Sequence, residues 1–186
     1  MTSRRTILKG ATLTGTTSLL HSQLSPSSRT QVGFHVAPGE SRRGRPIMLS
    51  ANEPTTIKIS ASDTGGQLVV FESTTSVGNG PELHKHHEQD EWWHVLEGEF
   101  IFQVGEEKFR AKPGMTVFGP RGVPHSFLSV GSSPGRTIIS FQPAGRMEEF
   151  FAELAKLSTL GPDAPLDNTR YGMESVGPRV TPDGAK

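Results

Sequence analysis

GNGPELHKHHEQDEWWHVLEG, residues 78–98, is the stretch that decides the fold. His84 and His86 stand two apart, so on a strand both imidazoles point to one face while Lys85 points away. A short turn follows, and Glu91 opens the next strand with an acceptor carboxylate. Gly78-Asn79-Gly80 and Gly98 punctuate the two ends. A second stretch, GMTVFGPRGVPHSFLS (114–129), places His125 at the start of a later strand, after the tight PRGVP corner. A closed sheet wraps distant strands around one interior, so His84, His86, Glu91 and His125 can converge. The chain has no cysteine. Any metal must be held by nitrogen and oxygen, which suits a divalent transition ion: Mn, Fe, Ni, Co, Cu or Zn.

Short apolar runs surround these motifs: TTIKIS (55–60), QLVVFESTT (67–75), EWWHVLEG (91–98), EFIFQVG (99–105), EKFRA (107–111), MTVFG (115–119), HSFLSV (125–130) and RTIISF (136–141). They are rich in Val, Ile, Phe, Thr and Trp, and turn signals such as Gly65-Gly66, Pro113-Gly114 and Ser133-Pro134-Gly135 separate them. This pattern predicts an all-β sandwich or barrel. One helix is expected over RMEEFFAELAKL, where Met147, Phe150, Phe151, Leu154 and Leu157 form an apolar stripe suited to packing against the outside of the barrel. Gly161-Pro162 should stop it. Residues 29–54 read as an irregular arm broken by Pro38, Pro46 and Pro54, 55–160 as the domain, and 161–186 as a proline-containing tail, an arm or disordered. No internal repeat is present.

The spacing resembles the two motifs of the cupins. In the first, Gly78 is followed by five residues, His84-x-His86, four residues, Glu91, six residues and Gly98; in the second, Gly114 is followed by five residues, Pro120-x-Gly122, two residues and His125. The family's pattern puts an asparagine, not itself a ligand, where Ser129 stands. The blocks EWWHVLEGEFIFQVG, PRGVPHSF and PAGRMEEFFAEL, within residues 66–158, are similar to single-domain, quercetin dioxygenase-like cupins. The resemblance implies a jelly-roll barrel, also called a double-stranded β-helix, with one divalent metal on His84, His86, Glu91 and His125. It further implies that Glu91 takes a proton from a substrate hydroxyl, and that a homodimer forms through edge strands.

The function expected is dioxygenase-like chemistry on an enol, flavonol or phenolic small molecule. A metal-dependent isomerase or decarboxylase of small sugars or acids, and a non-catalytic metal- or ligand-binding protein, are the competing readings. By parity Trp93 and Val95 share the face of Glu91, and Phe127 that of His125. They could wall a pocket for a flat substrate, although core packing is the simpler role for the aromatics. His87 has the wrong parity for ligation, and His94 faces away from Glu91. His21 and His35 lie outside the domain.

Formal net charge is zero, with 19 basic and 19 acidic residues, so nothing in it suggests nucleic acid, and no like-charge run suggests a polybasic anchor. The N-terminus carries a different message. SRRTILK (3–9) resembles a twin-arginine export signal, and the apolar run after it (10–20) is too short to span a bilayer. Residues 1–28 are therefore expected to direct the folded, metal-loaded chain to the periplasm or beyond, with no stable membrane insertion after processing. Their removal takes away Arg4, Arg5 and Lys9, leaving 16 basic against 19 acidic residues.

Overall fold

The computed structural model describes residues 29–160 and 166–185, so the export segment 1–28 and the Gly161-Pro162 stop lie outside the described residues. Among the described residues eleven strands form: β1 (Ile47–Met48), β2 (Pro54–Ile59), β3 (Val69–Thr75), β4 (Leu83–His86), β5 (Asp90–Glu97), β6 (Phe100–Val104), β7 (Glu107–Ala111), β8 (Thr116–Gly119), β9 (His125–Ser129), β10 (Gly135–Gln142) and β11 (Met173–Gly177). One helix, α1 (Met147–Ser158), lies between β10 and β11. The strands make two antiparallel sheets, ordered β1-β2-β3-β10-β5-β8 and β11-β4-β9-β6-β7. This is the expected jelly roll. Among the described residues no helix is long and apolar enough to cross a membrane.

Alternation sets each strand's inner face. Along β3, Val69, Phe71, Ser73 and Thr75 are buried while Val70, Glu72 and Thr74 are less so. Along β5, Glu91, Trp93 and Val95 turn inward. Consecutive strands repeatedly cross between the sheets, and the motif glycines 78, 98, 114 and 122 all sit at positive φ, between 76° and 89°. At Gly98 the backbones come so close that an added Cβ would lie 2.5 Å from the Gly135 Cα. A side chain is barred there both by conformation and by space.

Aromatic side chains fill the interior. Trp93 meets Phe102 at 5.3 Å between ring centroids, and Phe127 meets Phe100 at 5.8 Å and Phe102 at 5.5 Å. The helix closes one side of this core. Phe151 packs on Phe71 at 4.7 Å and on Phe141 at 6.2 Å, and Met147 is fully buried. Burying each such side chain contributes roughly 1.5–3 kcal/mol. Glu148 ties the first turn of the helix to the opposite strand region by accepting a hydrogen bond from the Ala61 amide at 2.7 Å.

The two sheets also take in residues on either side of 55–160. On the N-terminal side Ile47–Met48 pairs with β2, and the arm before it is pinned by Arg42, which donates two hydrogen bonds to the buried Asp63 carboxylate at 3.1 and 2.9 Å. Burial of Asp63 works to raise its pKa, but hydrogen bonds from Ser60 and Arg42 outweigh that and hold it below the usual carboxylate range. On the C-terminal side the tail supplies a strand. β11 pairs with β4 through Met173↔His86, Glu174↔Lys85, Ser175↔His84 and Gly177↔Leu83. Tyr171, Met173 and Val180 are buried, and the Val180 amide donates to the Ser126 hydroxyl at 3.1 Å. A few well-placed apolar anchors hold this tail although its composition is polar.

Candidate metal centre

Four side chains converge where the two sheets face each other. His84 and His86 come from β4, His125 from the start of β9, and Glu91 from β5 in the other sheet. His84 pairs with His125 in register, and Glu91 lies opposite Phe141 on one side and Gly119 on the other. One ligand-type atom from each residue lies within 4.8 Å of all the others. His86 and His125 are completely buried, Glu91 nearly so, and His84 is half-buried.

Each imidazole is oriented through its Nδ1. His84 Nδ1 donates to the Glu82 carbonyl at 2.8 Å, His125 Nδ1 to the Val123 carbonyl at 3.0 Å, and His86 Nδ1 to the Gln89 side-chain oxygen at 3.3 Å. All three partners are acceptors, so each neutral ring keeps its proton on Nδ1 and presents a bare Nε2 lone pair. Two of those lone pairs meet Glu91 Oε2, at 3.0 Å from His125 Nε2 and 3.1 Å from His86 Nε2. Acceptor faces acceptor, and His86 Nε2 is a buried atom with no hydrogen-bond partner. Such a cluster needs a cation in its midst, either a proton or a metal ion.

Burial, followed by the charge of neighbouring His125, holds the His84 pKa down at about 4. For Glu91 burial pushes upward, but positive charge on the His125 and His86 side of the carboxylate outweighs it and holds the carboxyl at about 2, so a cation between these groups is what keeps Glu91 ionised. His84 and Glu91 therefore favour the forms that bind metal, a neutral imidazole and an ionised carboxylate. The spacing agrees. Two ligands at right angles, each about 2.1 Å from one ion, stand ~3.0 Å apart. The donor set fits a divalent transition ion, and these four residues can hold one.

The site opens into a cavity of about 550 Å³, of which His84, His86 and Glu91 form one wall. Phe127, Ile139, Phe141, Phe150 and Phe151 provide apolar surface, so the helix expected only to pack outside also lines the cavity. Of the aromatics weighed from sequence, Phe127 reaches the cavity. Trp93 and Val95 do not line it; they are core, with Trp93 edge-on to the His125 ring at 5.2 Å. His87 is on the surface 3.8 Å from the Glu174 carboxylate, His94 hydrogen-bonds Thr116 on the outer face, and His35 is exposed. Ser129 is fully buried and its hydroxyl has no hydrogen-bond partner. The amide that steadies a ligand is instead Gln89, which parity reasoning missed because it stands in the turn between β4 and β5.

Comparison with known proteins bears on the part of the chain that carries this geometry. Residues 71–141 match the cupin domain family. That cupin segment contains all four convergent residues. An uncharacterized protein of Methanocaldococcus jannaschii is 32% identical over 79 residues, which is 42% of this chain; the chain spans only 63% of that relative's length. Among solved structures, KdgF from Halomonas sp. is 20% identical with a TM-score of 0.45, covering 50% of this chain and 82% of its own. A predicted oxalate decarboxylase from Thermotoga maritima is also 20% identical, with a TM-score of 0.47, covering 49% of this chain and 80% of its own.

Proposed function

We propose that this protein is an exported, metal-dependent cupin dioxygenase acting on an enol, flavonol or phenolic small molecule. The observation that carries the reading is the position of Glu91. It is an ionised carboxylate in contact with two ligand imidazoles, and it also forms part of the wall of a largely apolar cavity. A divalent transition ion bound by His84, His86, Glu91 and His125 would act as a Lewis acid, making a nearby hydroxyl more acidic, and as a redox centre.

The protein's own groups then have distinct tasks. Phe127, Phe141 and Phe151 hold a flat ring by apolar contact and keep bulk water away from it. Glu91 accepts the proton of the acidified hydroxyl: the O–H bond breaks, the carboxylate becomes a carboxylic acid, and the substrate keeps the electron pair as its oxyanion. An ionised carboxylate is a weak base, so this transfer depends on an acidified hydroxyl. Gln89, Glu82 and Val123 keep the three imidazoles aimed while this happens.

Oxygen uptake by metal-loaded protein on a panel of flavonols and 1,3-diketones tests the proposal. Uptake with at least one of them is expected, and Glu91→Gln should abolish it while retaining much of the metal. No uptake by fully loaded protein on any member of the panel refutes it. Export rests on Arg4 and Arg5, outside the described residues. Replacing both with Lys should keep the protein in the cytoplasm, and arrival of that variant in the periplasm would remove this part of the proposal.

A further inference from the structure

The cavity's charges carry an inference that builds on the enol and phenol reading. Its walls include three carboxylates: Glu91 at the metal centre, Glu82 at an exposed position, and Glu53, which has little exposed surface. Among the described residues no lysine or arginine lines it. Glu53 is the unusual member. It is 4% exposed, yet no described cation pairs with it. Neutral donors hold it instead: the Ser76 amide at 2.7 Å, and the Asn79 side-chain amide at 2.8 Å to one oxygen and 3.0 Å to the other. Burial works to raise its pKa, but the hydrogen bonds from Asn79 and Ser76 prevail and keep it below the usual range. A fixed negative charge therefore faces a low-dielectric cavity, where it acts on a bound ligand far more strongly than it would in water.

We infer that this cavity selects by charge: it takes uncharged, ring-bearing hydroxy compounds and turns away those carrying a carboxylate, sulfonate or phosphate, with Glu53 setting the preference. An anionic ligand would find a counter-charge for one group at the metal centre. A second anionic group would meet apolar wall or the Glu53 carboxylate, with no cation to receive it. Among the small acids of the rival decarboxylase reading, those with a second anionic group are disfavoured by the same arrangement.

A matched pair of ligands tests this: 3,4-dihydroxybenzamide and 3,4-dihydroxybenzoate, alike in shape and differing in charge. Their binding to the full-length, metal-loaded protein is measured by calorimetry without oxygen, so that turnover plays no part. The amide should bind about tenfold or more tightly than the acid, the scale of a single like-charge contact at intermediate dielectric. Glu53→Gln should reduce the gap to within about threefold. Because that variant disturbs three hydrogen bonds and can fail to fold, Leu154→Lys provides a second route. Leu154 is a half-buried wall position from which a lysine stem can reach solvent, and the added cation should raise the acid's affinity severalfold. If wild type binds acid and amide equally, or prefers the acid, this inference is wrong while the enol and phenol reading survives. If neither compound binds, that reading fails and this inference with it.

Discussion

Removing the Gln89 side chain should loosen the metal centre without touching a ligand. Gln89 is 3% exposed, accepts from His86 Nδ1 at 3.3 Å and donates to the Ala144 carbonyl at 3.3 Å. In Gln89→Leu both partners are left buried and unpaired. Each orphaned group costs about 1–3 kcal/mol, so the metal-free variant should be destabilised by roughly that amount or more. His86 also loses the contact that fixes its tautomer and orientation. Outer contacts of this kind are typically worth about 10–100-fold in metal affinity, or ~1.4–2.7 kcal/mol. Gln89→Glu keeps an acceptor for His86 and should retain most of the affinity, although it loses the donor to Ala144. Gly145→Ala attacks the same contact from behind. Its φ is +53°, and an added Cβ would lie 2.2 Å from Gln89 Nε2, so Gln89 would have to move. Competition against a chromophoric chelator at neutral pH, on variants first shown to be folded, gives the affinities. A folded Gln89→Leu that binds metal within about twofold of wild type would refute the positioning role.

Acid should weaken the metal-free protein in two stages. His84 has a folded pKa near 4 against 6.5 unfolded, so the unfolded chain takes up its proton first; stability is lost as pH falls from 6.5 to 4, by roughly 3 kcal/mol. Glu91 has a folded pKa near 2 against 4.5, so its share is intact above 4.5 and is lost below that. Calorimetric melts at stepped pH check both stages, and a flat melting temperature between pH 6.5 and 4 contradicts the first. Phe151→Ala removes a ring packed on Phe71 and Phe141 and should cost about 3–5 kcal/mol, read by urea unfolding. Met173→Ala should cost about 2–5 kcal/mol and also lower metal affinity, because Met173 pairs with His86; an unchanged affinity would separate the tail from the site.

The barrel was legible wherever one face of a strand meets the core. β3 and β5 alternate cleanly because their inner faces carry Phe71, Trp93 and Val95. The convergence of His84, His86, Glu91 and His125 was legible for a related reason: strand parity and turn length fix their spacing, and glycines with positive φ mark the corners. Gln89 was not legible. Its role depends on the Ala144 carbonyl, 55 residues away, and no local pattern encodes that contact. β11 was hidden by its composition. Three of its five residues are exposed, so it lacks the alternation that reveals a strand. The helix stripe was visible, but its second use, facing the cavity with Phe150 and Leu154, depends on where α1 docks.

The pairing of β11 with β4 also has a bearing on the order of assembly. β4 carries two of the four convergent residues, yet it meets β9 at the single pair His84↔His125, while β11 pairs with it at four positions. During synthesis β11 emerges after every other described strand. Until then the ligand strand lacks most of its ladder, and His84 and His86 are poorly fixed. Ordering of His84 and His86 is thus deferred until the C-terminal strand has left the ribosome, and a chain interrupted upstream of Met173 should bind metal more weakly than the full chain.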